Sequence, residues 1–187
     1  MILLASQSPR RHELLRQIGV EHRVMPVNVD ESWRVGEKAE TYVERVTLDK
    51  ALAAAKMAPD LPVLAADTAV VLDGRPLGKP RDETHCVEML LRLSNRAHEV
   101  MSGVALRQGT SLDYRLTVSR VVFGRISREQ AHRYWATGEP ADKAGGYAVQ
   151  GRAALFIRRI EGSYSGIMGL PLYETGQLLK EAGLLNV

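Results

Sequence analysis

Short apolar runs alternate with amphipathic stretches along this chain, and the alternation predicts its elements. Ile2-Leu3-Leu4-Ala5 reads as a strand. Ser8-Pro9 then starts a helix, with serine at the cap, proline at the first helical position, Leu14, Leu15 and Ile18 on the apolar face, and Gly19 at its end. A strand over His22 to Val27, a polar loop from Asn28 to Lys38 and a long helix over Thr41 to Met57 follow. The run Val63 to Leu72 is apolar, rich in branched residues and closed by a turn at Asp73-Gly74, so it reads as a strand buried on both faces. After Gly78-Lys79-Pro80 come a helix over Glu83–Leu93 and two long strands near His98–Arg107 and Asp113–Ile126. Ser127 and Gln130 have the spacing of a capping box for a helix reaching Trp135, which Gly138 closes. A glycine-rich loop to Gly151, a strand over Ala153–Ile160 and a helix from Pro171 to Gly183 complete the chain. Two consecutive long strands argue for a mixed rather than a doubly wound parallel sheet.

One residue breaks the apolar pattern. Asp67 lies in the middle of the buried run, where an ionised carboxylate must be paired, metal-bound or protonated. A carboxylate at a strand end satisfied by backbone donors is the structural alternative. The functional one is a carboxylate at the wall of a polar cleft.

Other residues suggest what such a cleft would take. Arg10 and Arg11 stand in the first turn of a helix, where their charge opposes the helix dipole, so forked donors for phosphate oxygens explain them better than local stability does. Lys50 shares a helix side with Val43, Val46 and Ala54, and Lys79 is fixed in direction between Gly78 and Pro80. Glu31, beside Asp30, lies in a polar loop where carboxylates are usually solvated. In the loop Asp142 to Gly151, glycines permit close approach to a ligand, Tyr147 offers an aromatic surface, and Gln150 both donates and accepts; together they suit a nucleobase. Cations for phosphate and carboxylates for a divalent metal point to metal-assisted attack on a polyphosphate.

Composition narrows the classes. The 187 residues make one domain or two tightly joined lobes, and 45% hydrophobic with 25% charged residues is globular rather than disordered. Net charge is +3, with the basic residues spread along the chain, which argues against a nucleic-acid polymer as partner. The lone Cys86 excludes an intrachain disulfide and reads as a packed core thiol in a reducing compartment. No apolar stretch is long enough to span a membrane, and no signal peptide precedes the first strand, so the expected location is the cytoplasm. Walker-type glycine loops, Gly-x-Ser-x-Gly, Cys-x-x-Cys and His-Glu-x-x-His are absent.

The segments Leu4 to Leu15 (LASQSPRRHELL), Ala66-Asp67-Thr68 with Gly78-Lys79-Pro80, Asp142 to Tyr147 with Gln150-Gly151, and Gly162 to Ser165 with Gly169 to Leu172 appear in order across nearly the whole length. Together they resemble the Maf family of nucleoside triphosphate pyrophosphatases. The resemblance implies an α/β fold, an elongated mixed sheet flanked by helices and bent around a central cleft, shared with inosine triphosphate pyrophosphatases. It also implies hydrolysis of the α–β phosphoanhydride to a nucleoside monophosphate and pyrophosphate. Arg10-Arg11, Asp67-Thr68 and Tyr147-x-x-Gln150-Gly151 resemble the subgroup acting on dTTP and UTP. Gly146-Tyr147-Ala148-Val149 departs mildly from the family's usual Ala-Tyr-Gly-Ile. By resemblance, Asp67 accepts a proton from the attacking water beside Mg²⁺ or Mn²⁺, with Glu31 as a metal partner. Arg10, Arg11, Lys50 and Lys79 match phosphate-facing cations, while Arg11, Thr68 and Gln150 match substrate-selecting positions. A 7-methyl-GTP or broader modified-nucleotide pyrophosphatase is the alternative enzyme, and a nucleotide-binding regulator of septum formation is the non-catalytic one. Oligomeric state, a homodimer included, stays open.

Overall fold

In the computed structural model, which describes residues 1–186 and leaves Val187 outside, a seven-stranded mixed sheet runs through the molecule. Its strands are β1 (Ile2–Ala5), β2 (His22–Val24), β3 (Val63–Leu72), β4 (Arg75–Leu77), β5 (Ala97–Gln108), β6 (Ser111–Phe123) and β7 (Ile157–Glu161). The helices are α1 (Pro9–Gln17), α2 (Ala39–Met57), α3 (Glu83–Leu93), α4 (Arg128–Trp135), α5 (Tyr164–Met168) and α6 (Leu172–Glu181). Strand order is β2-β1-β3-β5-β6-β7, with β4 paired to β3. The β2-β1-β3 end is parallel and the rest antiparallel, so the expected mixed α/β architecture holds.

The period-two alternation of β3 decides what packs where. Val63, Ala65, Ala69 and Val71 face α2, whose Val43, Ala51, Ala54 and Ala55 fill that side. Leu64, Ala66, Val70 and Leu72 face the opposite layer, built from α1 and α6 at one end and α3 and α4 at the other. Small residues let α2 sit close. A Cβ at Gly103 of β5 would fall 2.6 Å from Thr47 Oγ1 of α2 and 2.9 Å from the Tyr114 hydroxyl of β6, so any side chain there would push the helix away. No helix among the described residues is long and apolar enough to cross a membrane.

Several expectations need correction. The second strand ends at Val24 rather than Val27, because Pro26 has no N–H for the ladder. The Asp73-Gly74 turn, with positive φ at both residues (53° and 73°), folds the chain straight back into β4, a strand the apolar pattern did not predict. The strand expected over Ala153–Ile160 starts instead as a 3-10 turn, Arg152–Phe156, and becomes β7 only at Ile157. The connection at Gly162 to Gly169 contains α5, capped by the Ser163 hydroxyl accepting from the Gly166 N–H.

Candidate active site

The cleft arises where the sheet splits. β1 accompanies β3 as far as Ala5 opposite Ala65, and β4 joins only at Leu77 opposite Val70. Between those points the β3 residues Ala66 to Ala69 are paired with β5 alone. The gap lies beyond the carboxyl end of β1, beside the start of α1, the place where open α/β sheets usually take ligands. It opens into a cavity of about 520 Å³. Arg10, Arg11, Glu31, Lys50, Asp67, Thr68, Lys79 and Gln150 all line it.

Asp67 and Thr68 are consecutive in β3, so they project to opposite faces of the sheet, and each face supplies its own partners. On the α2 face, Asp67 is 6% exposed and its Oδ1 accepts a hydrogen bond from Lys50 Nζ at 2.8 Å. The same ammonium lies 2.9 Å from Glu31 Oε1. Lys50 is therefore buried with its head between two carboxylates rather than extended along the surface. This ion pair answers how the strand tolerates Asp67. Removing Lys50 would leave the Asp67 charge buried and uncompensated, whereas removing Asp67 leaves Lys50 its contact with Glu31.

On the other face, Arg11 is buried in a cage of protein acceptors. Nε donates to the Gly169 carbonyl at 2.7 Å, one terminal nitrogen to Ser6 Oγ at 3.1 Å, and the other to Thr68 Oγ1 at 3.2 Å. Burial pulls its guanidinium below the usual value, the Asp67 charge opposes that, and Arg10 adds to it. Ser102 donates to the Gly166 carbonyl at 2.6 Å, so it accepts from Thr68 across 2.9 Å. A directed chain results: Arg11 to Thr68 to Ser102 to Gly166. It ties α1, β3 and β5 to the α5 segment. Arg11 thus spends at least three of its five N–H groups on protein, and its phosphate-facing capacity is correspondingly small.

Arg10 and Lys79 are freer. Arg10 gives one long bond, Nε to the Met168 carbonyl at 3.3 Å. Lys79 is exposed at the rim and has no ion pair or hydrogen bond among the described residues. With Lys143 these side chains give the cleft more cations than carboxylates. Such a surplus suits a polyanion.

The glycine-rich loop is used differently from expectation. Gly145 and Gly146 have φ of 69° and 70° and press against protein, not toward a ligand. A Cβ on Gly145 would lie 2.8 Å from Val70, and one on Gly146 would lie 3.2 Å from Cys86. Tyr147 is 5% exposed, packs edge-on against Phe123 and shares a 2.7 Å hydrogen bond with His98. Its ring is packed in the core, and the residue also lines the cavity. Gln150, in contrast, is exposed at the cleft. Cys86 is fully buried, as its apolar neighbours predict, and burial pushes its thiol up to about 11.

Sequence reasoning missed Ser6, Ser102, Met168 and Gly169. Ser6 precedes the arginines, and a hydroxyl beside a buried guanidinium is a findable signal. The role of Ser102 depends on lying opposite Thr68, which only the sheet register reveals.

As to a metal, Glu31 and Asp67 present hard carboxylate oxygens to one point, now held by the Lys50 ammonium. No cluster of three or more His, Cys, Asp or Glu side chains able to hold a metal exists among the described residues. Two carboxylates with water and phosphate completing the shell is how Mg²⁺ is usually held, so the donor set fits that ion.

The family model for Maf-like proteins matches residues 1–182. A dTTP/UTP pyrophosphatase of Methylococcus capsulatus is 54% identical, covering 98% of this chain and 91% of the relative. One from Saccharophagus degradans is 52% identical, over 95% and 87% respectively. One from Alkalilimnicola ehrlichii is also 52% identical, over 96% and 92%. With a Maf model spanning almost its whole length and relatives this similar, the chain belongs to the Maf family.

Proposed function

We propose that this protein is a nucleoside triphosphate pyrophosphatase that hydrolyses dTTP and UTP to the monophosphate and pyrophosphate. The observation that carries the reading is the buried Asp67 carboxylate, held by Lys50, which also pairs with Glu31, in the wall of a cleft richer in cations than in carboxylates. A surface that only binds nucleotide has no need for a desolvated acid facing phosphate.

The chain's residues divide the work. Arg10 and Lys79, with spare N–H donors at the rim, take the outer phosphates and offset their charge. Asp67 accepts the proton of the water that attacks phosphorus. Lys50 keeps Asp67 in place and lends positive charge beside the developing anion. Asp67 and Glu31 are the residues that would hold Mg²⁺ or Mn²⁺, which would supply Lewis acidity for the attack. Gln150 reads the base edge from the lip of the cleft. Arg11 and Thr68 act on selectivity through the segment they anchor, Gly166 to Gly169. The lone buried thiol suits a cytoplasmic setting.

The test is pyrophosphate release from dTTP, UTP, ATP, GTP and 7-methyl-GTP under one metal condition. A buried amide left unpaired by the wrong base costs about 1–3 kcal/mol, so dTTP and UTP should lead by about tenfold or more in kcat/KM. Preference for 7-methyl-GTP would overturn the substrate assignment, and no release from any triphosphate would overturn the reaction.

A further inference from the structure

Gln150 sits on a loop, and what holds that loop is a carboxylate outside the cleft. Glu139 Oε2 accepts from the Arg152 N–H at 2.9 Å, and Oε1 accepts from the Ala153 N–H at 3.4 Å. Oε1 also accepts from the Tyr134 hydroxyl at 2.5 Å. That hydroxyl accepts in turn from the Ala148 N–H at 3.2 Å. The segment is thus gripped on both sides of Gln150, at Ala148 and at Arg152-Ala153, by one tyrosine–glutamate pair. Gly151 makes the grip fit: a Cβ there would lie 2.4 Å from the Glu139 carboxylate, so no side chain can occupy the position while Glu139 keeps its place.

Tyr134 is itself rigid. It is 4% exposed and meets Phe156 edge-on, with centroids 5.5 Å apart at 90°. Thr137 Oγ1 accepts from the Glu139 N–H at 3.2 Å, fixing the acid's own backbone. Burial raises the Glu139 pKa, but the Tyr134, Arg152 and Ala153 bonds with the Lys143 charge outweigh it, so the group stays below its ordinary value and acts as an anion. Glu139 does not line the cleft. Its bonds serve the loop alone.

We infer that Glu139 and Tyr134 are positioning residues for substrate selection: the Tyr134–Glu139 pair fixes the Ala148–Ala153 segment so that Gln150 meets the nucleobase in one orientation. The inference rests on the reading of Gln150 as the residue that contacts the base. It adds that the contact discriminates only while a charged group behind the loop stays in place. Neutral glutamine at 139 has one acceptor oxygen for three donors, and its amide would face N–H groups.

The experiment compares wild type, Glu139→Gln, Tyr134→Phe, Gln150→Ala and the Glu139→Gln/Gln150→Ala pair. It measures kcat and KM for dTTP and GTP, with hydrogen exchange at the Arg152 and Ala153 amides. Expected for Glu139→Gln are faster exchange at both amides, KM for dTTP raised more than kcat is lowered, and a dTTP-over-GTP ratio reduced about as far as in Gln150→Ala. The double variant should lose little more selectivity than either single one, since both changes remove one coupled unit. Tyr134→Phe keeps the ring packing and removes only the hydroxyl, so it gives the same readouts if Glu139→Gln folds poorly. An unchanged ratio in Glu139→Gln or Tyr134→Phe, with only a lower melting temperature, would overturn the inference, as would losses that simply multiply in the double variant. Gln150→Ala alone judges the base-reading role. If it erodes selectivity while the two supporting variants do not, that role stands and the inference falls.

Discussion

Thr68 and Ser102 face each other across β3 and β5 with their hydroxyl oxygens 2.9 Å apart. Each is a hydroxyl in a largely apolar strand, and each gives the other a hydrogen-bond partner. The direction of the bond follows from its ends: Arg11 can only donate and the Gly166 carbonyl can only accept. One face of the cleft is thereby organised by a single line of hydrogen bonds running from α1 to α5.

Ser102→Ala cuts this line in the middle. It leaves the Gly166 carbonyl with the Gly169 N–H, at 2.9 Å, as its donor and turns Thr68 toward the Gly169 carbonyl, 3.4 Å away. A loss of about 1–3 kcal/mol of stability is expected, from the two hydrogen bonds Ser102 makes at about 0.5–1.5 kcal/mol each. Chemical denaturation of the purified variant measures it. A change well below that range would show that water replaces the hydroxyl.

Lys50→Met should be among the most damaging single changes. The variant keeps Asp67 buried without its cation, at a cost of about 3–5 kcal/mol. Adding Asp67→Asn to the same chain removes the orphan charge, so the double variant should recover much of the stability while staying inactive. Melting curves for the three proteins decide this, and a double variant no more stable than Lys50→Met would contradict it.

Lys79→Ala tests the division between phosphate and base contacts. The side chain has no protein partner to lose among the described residues, so folding should be untouched. A charge-assisted contact is worth about 1.5–3 kcal/mol, so KM for every triphosphate should rise about tenfold or more. The ratio between nucleotides should hold. Altered discrimination at unchanged triphosphate affinity would move Lys79 from the phosphates to the base.

The acid limb of stability has an identifiable contributor in His98. The ring is 3% exposed and has no hydrogen-bond partner at Nδ1 among the described residues, and burial lowers its pKa from 6.5 to about 4. Below pH 6.5 the unfolded chain takes up a proton that the native ring refuses until about pH 4. Stability from this group is therefore complete above pH 6.5 and is lost as pH falls toward 4, by on the order of 3 kcal/mol. Replacing His98 by Asn should flatten the melting temperature between those values relative to wild type. An equal slope in both proteins would assign the acid loss to other groups.

How far the sequence carries this account varies by residue. Asp67 is legible because a carboxylate in a branched apolar run violates a strong rule, and Lys50 because it shares a helix side with core residues. Arg10, Arg11, Lys79 and Gln150 stand out by position next to a helix start, a constrained turn and a glycine. Their convergence on one cavity depends on the split between β1 and β4, which no local pattern encodes. Ser102 and Glu139 are illegible for the same reason, since serine in a strand and glutamate after a helix are ordinary until their long-range partners are known. Gly145, Gly146 and Tyr147 mislead in the opposite direction. Glycine for close approach and an aromatic ring are equally what a tightly packed loop needs against its own core.

The central claim is that Asp67 performs chemistry rather than merely sitting in the fold. Asp67→Asn keeps the shape and a hydrogen-bond acceptor for Lys50 but cannot take a proton from water. Pyrophosphate release from dTTP at saturating substrate measures the effect directly, with circular dichroism confirming that the variant is folded. We expect kcat to fall by about a hundredfold or more, the range for loss of a general base. A folded Asn variant with near-normal turnover would contradict the account.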